Sequence, residues 1–321
     1  MTVSLSAKPH YPILDGLRGV AAILVVIFHL FEAHATGHAT QIINHGYLAV
    51  DFFFALSGFV VGYAYDDRWT KMSIGSFFRR RLIRLQPMVI MGMLIGAICF
   101  YLLPSSIFPA MSQVPVWKML LIMLIGMCML PVPPSMDIRG WHEMYPLNGP
   151  AWSLFFEYLA NILYALGIRK FSKTPLTVLV FLAACFLIHM AVGYGDVVGG
   201  WALEGKQLHI GFARVLYPFF AGLLLSRMLT VKPIKQSFLL CSLLLALVLA
   251  LPRMGGEKTV WLNGLYEAGV IILIFPLIVY LGACGVMKGN QEKRFCNFLG
   301  GISYPLYITH YPLIYLYTGW V

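Results

Sequence analysis

Apolar runs poor in Asp, Glu, Lys and Arg recur along the whole chain, separated by short stretches where charge, proline and glycine collect. A helix facing lipid can be apolar on every side, so charge-poor windows mark membrane spans better than helical periodicity does. Windows of suitable length cover residues 13–33, 46–65, 84–103, 117–132, 150–167, 175–194, 208–228, 236–252, 262–286 and 299–320. No repeat of fixed period, low-complexity segment or long linker interrupts them. The predicted architecture is an all-α, polytopic transmembrane bundle of about ten helices, with residues 1–321 as a single integral membrane domain.

The first window shares features with a secretory signal. Arg18 precedes an apolar run from Gly19 to Phe31, and Ala33-His34-Ala35 has a small-x-small form. His29 near the end of that run argues for a retained first helix instead.

Composition agrees with the pattern. Of 321 residues 60% are hydrophobic and 11% charged, against about 25% charged in a typical soluble domain. A mean hydropathy of +0.79 excludes a soluble globular enzyme, a disordered tail and a coiled coil. Lys and Arg outnumber Asp and Glu by 23 to 13. Basic cytoplasmic loops are a simpler source of that surplus than a nucleic-acid partner, which is not expected. The six cysteines stand singly with no CxxC pair, so neither a zinc site nor a disulfide framework follows, and no other metal-ligand cluster stands out.

Charge also orients the chain. The loop after the second window carries Arg68, Lys71 and Arg79–Arg81, whereas residues 34–46 carry neither Lys nor Arg, which puts the N-terminus in the cytoplasm. The basic clusters at 169–173, 227–235 and 288–294 also read as cytoplasmic, yet ten full crossings would place them outside. Either Met119–Val132, short and ended by proline, dips in without crossing, or some basic residues bind a ligand.

Ionisable residues inside spans cost at least about 2.5–3.5 kcal/mol each on insertion scales, so each needs a partner, a wet cavity or a function. Arg18 and His29 are eleven residues apart, three helical turns plus roughly 20°, and so share one face about 16 Å apart along the axis, with Asp15 close to it. His29 could hydrogen-bond a neighbouring helix, or serve as a base, since a neutral imidazole can take a proton from a hydroxyl. Asp51 lies in the second span beside Ser57-Gly58, which permits close helix approach. It reads either as a buried salt-bridge partner for an arginine or as a group that orients catalytic residues. Arg81 and Arg84, one turn apart, are either interfacial anchors or a fork for phosphates. Trp152, Ser153 and Glu157 gather at the start of the fifth span, and Ser303, Tyr307 and His310 share a face of the last, where an aromatic belt is the alternative reading.

These motifs, in order, resemble the acyltransferase-3 family of integral membrane acyltransferases. The resemblance rests on residues 14–29 (LDGLRGVAAILVVIFH), 46–61 (GYLAVDFFFALSGFVV), 77–87 (FFRRRLIRLQP), 151–157 (AWSLFFE) and 300–313 (GGISYPLYITHYPL). The family's arginine-x10-histidine pattern matches Arg18 and His29, its arginine-x2-arginine pattern Arg81 and Arg84, and its WSL-x2-E pattern Trp152, Ser153 and Glu157. The resemblance implies about ten helices, a cytoplasmic acyl-CoA donor and a sugar acceptor on a lipid-linked or surface glycan. Some members carry an extracytoplasmic SGNH hydrolase-like domain, which this sequence is expected to lack, so that it either completes transfer itself or works with a separate extracytoplasmic transferase.

The expected function is transfer of an acyl group, acetyl first among candidates, from acyl-CoA to a sugar hydroxyl of an exported polysaccharide, lipopolysaccharide or glycolipid at a bacterial inner membrane. His29 is expected to act as base or acyl carrier, with Arg18, Asp51 and Glu157 setting its tautomer and charge. Arg81 and Arg84 are expected to hold the coenzyme A phosphates; Trp152, Ser153, Tyr307 and His310 to contact the acceptor. The rival reading is a transporter or flippase, because intramembrane charges also mark translocation paths.

Overall fold

A computed structural model describes residues 8, 10–37, 41–102 and 107–320. Its helices are α1 (Pro12–Glu32), α2 (Ala49–Tyr65), α3 (Ile74–Ala97), α4 (Val116–Met127), α5 (Ala151–Leu166), α6 (Lys173–Tyr194), α7 (Gly205–Met228), α8 (Ser237–Ala250), α9 (Trp261–Gly269), α10 (Phe275–Ala283) and α11 (Asn290–Thr318). A π turn, Val270–Ile274, joins α9 and α10 into one rod, leaving ten rods. Six helical stretches are long and apolar enough to cross a membrane, and α4, α5 and α8 are shorter apolar helices. The only β pairing among the described residues is Ile234–Lys235 alongside Gly285–Val286.

Several helices begin before the charge-poor windows that mark them. α3 starts at Ile74, where the Ser73 side chain accepts from the Ser76 N–H, ten residues ahead of its window. The backbone ladder runs straight through Arg79–Arg81 and Arg84, because long basic side chains can reach an interface without breaking a helix. α11 starts at Asn290 for the same reason. Part of the window at 84–103 lies outside the described residues.

Two helix seams organise the bundle. Along α1 and α11, Arg18 meets Ser303 and His29 meets His310, so contacts advance in the same direction on both helices, which are parallel. α1 is thus packed into the bundle. Along α2 and α7, Asp51 meets Arg214 and Gly62 meets Ser226, again parallel. That seam is tight because two glycines admit the opposing backbone. A Cβ on Gly58 would lie 1.8 Å from the Phe219 carbonyl oxygen, and one on Gly222 would lie 2.0 Å from that of Ala55.

Parallel packing decides the topology that charge counting left open. Ten consecutive crossings would make the first and tenth rods antiparallel, so one rod does not run the full length of the bundle. The parallel α2 and α7 place it between them. α4 has 12 residues, about 18 Å of helix. Its start returns to the chain that leaves it, since Lys118 Nζ donates to the Asp137 carbonyl at 3.3 Å. Met129, at φ 56°, reverses the direction. α4 therefore dips in and returns.

With α4 so placed, the basic loops fall at one end. Arg227 Nε donates to Asp66 at 2.6 Å and its Nη1 to the Phe171 carbonyl at 2.7 Å, tying together the α2–α3, α5–α6 and α7–α8 connections. The β pairing adds the α10–α11 connection, and Lys8 reaches Asp67 at 2.7 Å.

Candidate active site

Arg18 and His29 stand on the same side of α1, both turned toward α11. Arg18 bonds Asp15 at 2.9 Å, Ser303 Oγ at 2.9 Å and the Gly300 carbonyl at 3.3 Å. Three turns further, the His29 ring lies 5.2 Å from the His310 ring and 5.5 Å from Tyr311. The two residues nevertheless face different spaces. Arg18 borders a cavity of about 190 Å³ toward the basic end, together with Arg81, Arg84, Ser153 and Glu157. His29 borders a cavity of about 710 Å³ toward the other end, with Glu32, Trp152, Trp201 and Arg214. Val50 and Tyr307 line both.

In the smaller, arginine cavity, Glu157 accepts from Arg81 at 2.5 Å and from Ser57 Oγ at 2.6 Å. Arg81 is thereby buried and neutralised. Arg84 lines the same space on the exposed side of α3, and no hydrogen-bond or ion-pair partner is seen for it among the described residues. The two arginines are thus unequal: Arg84 is free to meet an anion, while Arg81 already holds one. At the inner wall Ser153 Oγ lies 2.7 Å from the Tyr307 hydroxyl and donates to the Pro150 carbonyl at 2.9 Å.

In the larger, histidine cavity, His29 Nδ1 is 2.8 Å from Glu32 Oε2. A carboxylate only accepts, so Nδ1 carries the proton, and the neutral ring keeps a lone pair on Nε2. His310 is fixed the same way: its Nδ1 donates to the Tyr307 carbonyl at 2.7 Å, and its buried Nε2 has no partner among the described residues. The Trp141, Trp152, Trp201 and Tyr47 rings line the space, with Glu32 and Glu143 as hydrogen-bond acceptors.

This geometry corrects how the ionisable residues were expected to cooperate. Glu32, one turn after His29, sets its tautomer; Arg18 and Glu157 belong to the other cavity. Asp51 takes up the salt-bridge alternative. It pairs with Arg214 at 2.6 Å, both groups being buried, and Arg214 also donates to the carbonyls of Tyr47 at 2.8 Å and Gly199 at 3.2 Å and sits 5.0 Å from the Trp152 ring. Sequence reasoning passed over Arg214 and over Glu267, which is buried and accepts from Tyr47, Asn263 and the Val197 N–H. Both lie inside windows, at 208–228 and 262–286, so the insertion-cost criterion applied to Asp51 would have found them. Glu32 was visible at i+3 from His29, the spacing at which side chains on a helix meet.

The described helices thus hold a basic cavity at one end of a seam and a histidine-bearing cavity at the other, with Val50 and Tyr307 lining both. The chain belongs to the acyltransferase-3 family: a family model described as an acyltransferase domain matches residues 11–321. It is therefore a membrane acyltransferase. Among curated relatives, it is 33% identical to "Protein 2 in picA locus" of Rhizobium radiobacter, over 59% of this chain and 99% of that protein. It is 32% identical to acyltransferase MdmB of Streptomyces mycarofaciens, over 54% of this chain and 43% of that protein. It is 26% identical to O-acetyltransferase OatA of Staphylococcus aureus, over 96% of this chain. The match covers 51% of OatA, so this chain spans about half the length of that relative. No solved structure matches the chain.

Proposed function

We propose that this protein moves an acyl group, acetyl first among candidates, from acyl-CoA held at the arginine cavity to a sugar hydroxyl held in the histidine cavity. The observation that carries this reading is the pair of cavities meeting at Val50 and Tyr307, with arginines on one side and an oriented histidine on the other. The basic end, gathering the Lys- and Arg-rich connections, is the cytoplasmic face of a bacterial inner membrane. There Arg84 and the exposed Arg79 and Arg80 meet the phosphates of coenzyme A, while the Arg81–Glu157 pair shapes the passage for the thioester arm. Tryptophan and tyrosine faces suit the apolar face of a sugar ring, and Glu32 and Glu143 accept from its hydroxyls. The acceptor is a glycan or glycolipid presented from the opposite side.

In the transfer, the acceptor oxygen attacks the thioester carbon while His29 Nε2 takes the hydroxyl proton. The carbon–sulfur bond breaks, coenzyme A leaves as the thiolate, and the proton on His29 passes to that sulfur or to solvent. The same lone pair also suits a two-step course in which His29 accepts the acyl group first. Glu32 stabilises the imidazolium in the first case and holds the ring orientation in both. Ser153, Trp152 and Tyr307 bound the place where the substrates meet, and His310 stands behind it against the His29 ring. The family assignment sets the transporter reading aside, and the reach of both cavities to one wall favours transfer completed within this chain over hand-off to a separate transferase.

Purified protein in lipid discs, given labelled acetyl-CoA and a panel of glycans, is expected to label an acceptor, and His29→Ala to abolish the label. No thioester turnover with any glycan, or turnover unchanged in His29→Ala, overturns the reading.

A further inference from the structure

The donor and acceptor enter from different cavities, so the carbon that passes between them must lie where the cavities adjoin. Two side chains border both spaces, Val50 on α2 and Tyr307 on α11. We infer that Val50 and Tyr307 form the slot that holds the acyl group during transfer, and that Val50 limits the length of the acyl chain the enzyme accepts. This inference rests on the acyl-CoA reading above.

Both sides of the slot are held in place by contacts with neighbouring residues. Val50 precedes Asp51, whose buried pair with Arg214 fixes the rotation of α2, and the backbone contact of Gly58 with Phe219 keeps α2 from sliding away from α7. The Tyr307 ring packs edge to face on Phe53 at 5.3 Å, and its hydroxyl is 2.7 Å from Ser153 Oγ and 3.3 Å from the Pro150 carbonyl. Val50 and Tyr307 are the two side chains that the linings of both cavities share, so an acyl group passing from one cavity to the other packs against them. A rigid apolar slot discriminates by roughly 10–200-fold per methylene, so a slot of this kind is a strong length filter.

The experiment measures kcat/KM for acetyl-, propionyl- and butyryl-CoA at saturating acceptor in the wild type, Val50→Ala and Val50→Ile. The wild type is expected to favour acetyl. Val50→Ala removes two methyl groups from the slot and is expected to raise the butyryl-to-acetyl ratio by at least about tenfold. Val50→Ile adds carbon and is expected to lower the propionyl-to-acetyl ratio, and it reads the same slot if the alanine variant does not fold. Ratios unchanged in a folded variant that still turns over acetyl-CoA overturn the slot and leave the acyl-CoA reading standing. A wild type that turns over none of the three donors overturns both.

Discussion

Among the described residues two carboxylate–arginine pairs, Asp51–Arg214 and Glu157–Arg81, join one helix to another, and they differ in what surrounds them. Asp51 and Arg214 have side chains 0% and 2% exposed; Arg214 edges the histidine cavity, but its guanidinium is engaged by Asp51, two carbonyls and the Trp152 ring. Glu157 and Arg81 are 15% and 4% exposed and open onto the arginine cavity. A deeply buried charge pair whose groups are fully engaged holds its helices in register, because losing either member strands the other in a low-dielectric interior. A pair at a cavity wall keeps part of its hydration and can exchange partners when a ligand arrives. Similar chemistry, placed a few turns apart, therefore serves packing in one case and, in the function proposed, substrate in the other.

The sharpest way to break this contrast is to remove one partner from the buried Asp51–Arg214 pair. Asp51→Ala or Arg214→Ala is expected to cost about 3–5 kcal/mol of stability, seen as a large fall in melting temperature or loss of monodisperse protein in detergent. If either variant melts like the wild type, the pair is not structural. Glu157→Gln keeps the shape and leaves Arg81 with weaker partners, so its stability cost should be smaller, about 1–3 kcal/mol, while kcat/KM for acyl-CoA falls at least tenfold. An acyl-CoA kcat/KM equal to wild type would move Glu157 into the structural class.

Glu32 tests the contrast at the histidine end. Glu32→Gln should lower kcat by about tenfold, equivalent to about 1.4 kcal/mol, with KM for acyl-CoA unchanged, and Glu32→Asp should recover part of the loss. The smallest effect is expected at the exposed pair of Lys8 and Asp67, with side chains 28% and 63% exposed. The hydrogen bond from Lys8 holds the Asp67 carboxyl below its ordinary value. A lowered carboxyl stabilises above the ordinary carboxylate range, and that contribution is lost as pH falls through the folded-state value. Solvent screens this pair, so Asp67→Asn should change stability by less than about 1 kcal/mol at neutral pH, and thermal melts of the two proteins should converge in acid.

How much of this was legible in the sequence depended on the range of the physics involved. The alignment of Arg18 with His29 follows from helical spacing alone, so the two residues stand on one side of α1 as expected. That they serve different cavities does not follow, since the separation is made by α11, nearly 300 residues away, and by Val50 and Tyr307 in different helices. The close approach at Gly58 was readable from Ser57-Gly58, but its partner Phe219 was not. Asp51 announced that it needed a cation without saying which. Charge counting exposed a conflict at the basic loops and could not resolve it, because nothing local distinguishes a short helix that crosses from one that turns back. The directions in which α1 packs on α11 and α2 on α7, with the contact of Lys118 to the Asp137 carbonyl, carry that information.

The returning α4 also decides where the first and last helices begin and finish. With nine rods carrying the chain from one end of the bundle to the other, the start of α1 and the end of α11 stand at opposite ends. With the basic end as the proposed cytoplasmic face, a reporter that fluoresces only in the cytoplasm is expected to light when attached ahead of Pro12 and stay dark when attached beyond Thr318, while a reporter active only outside should behave in reverse.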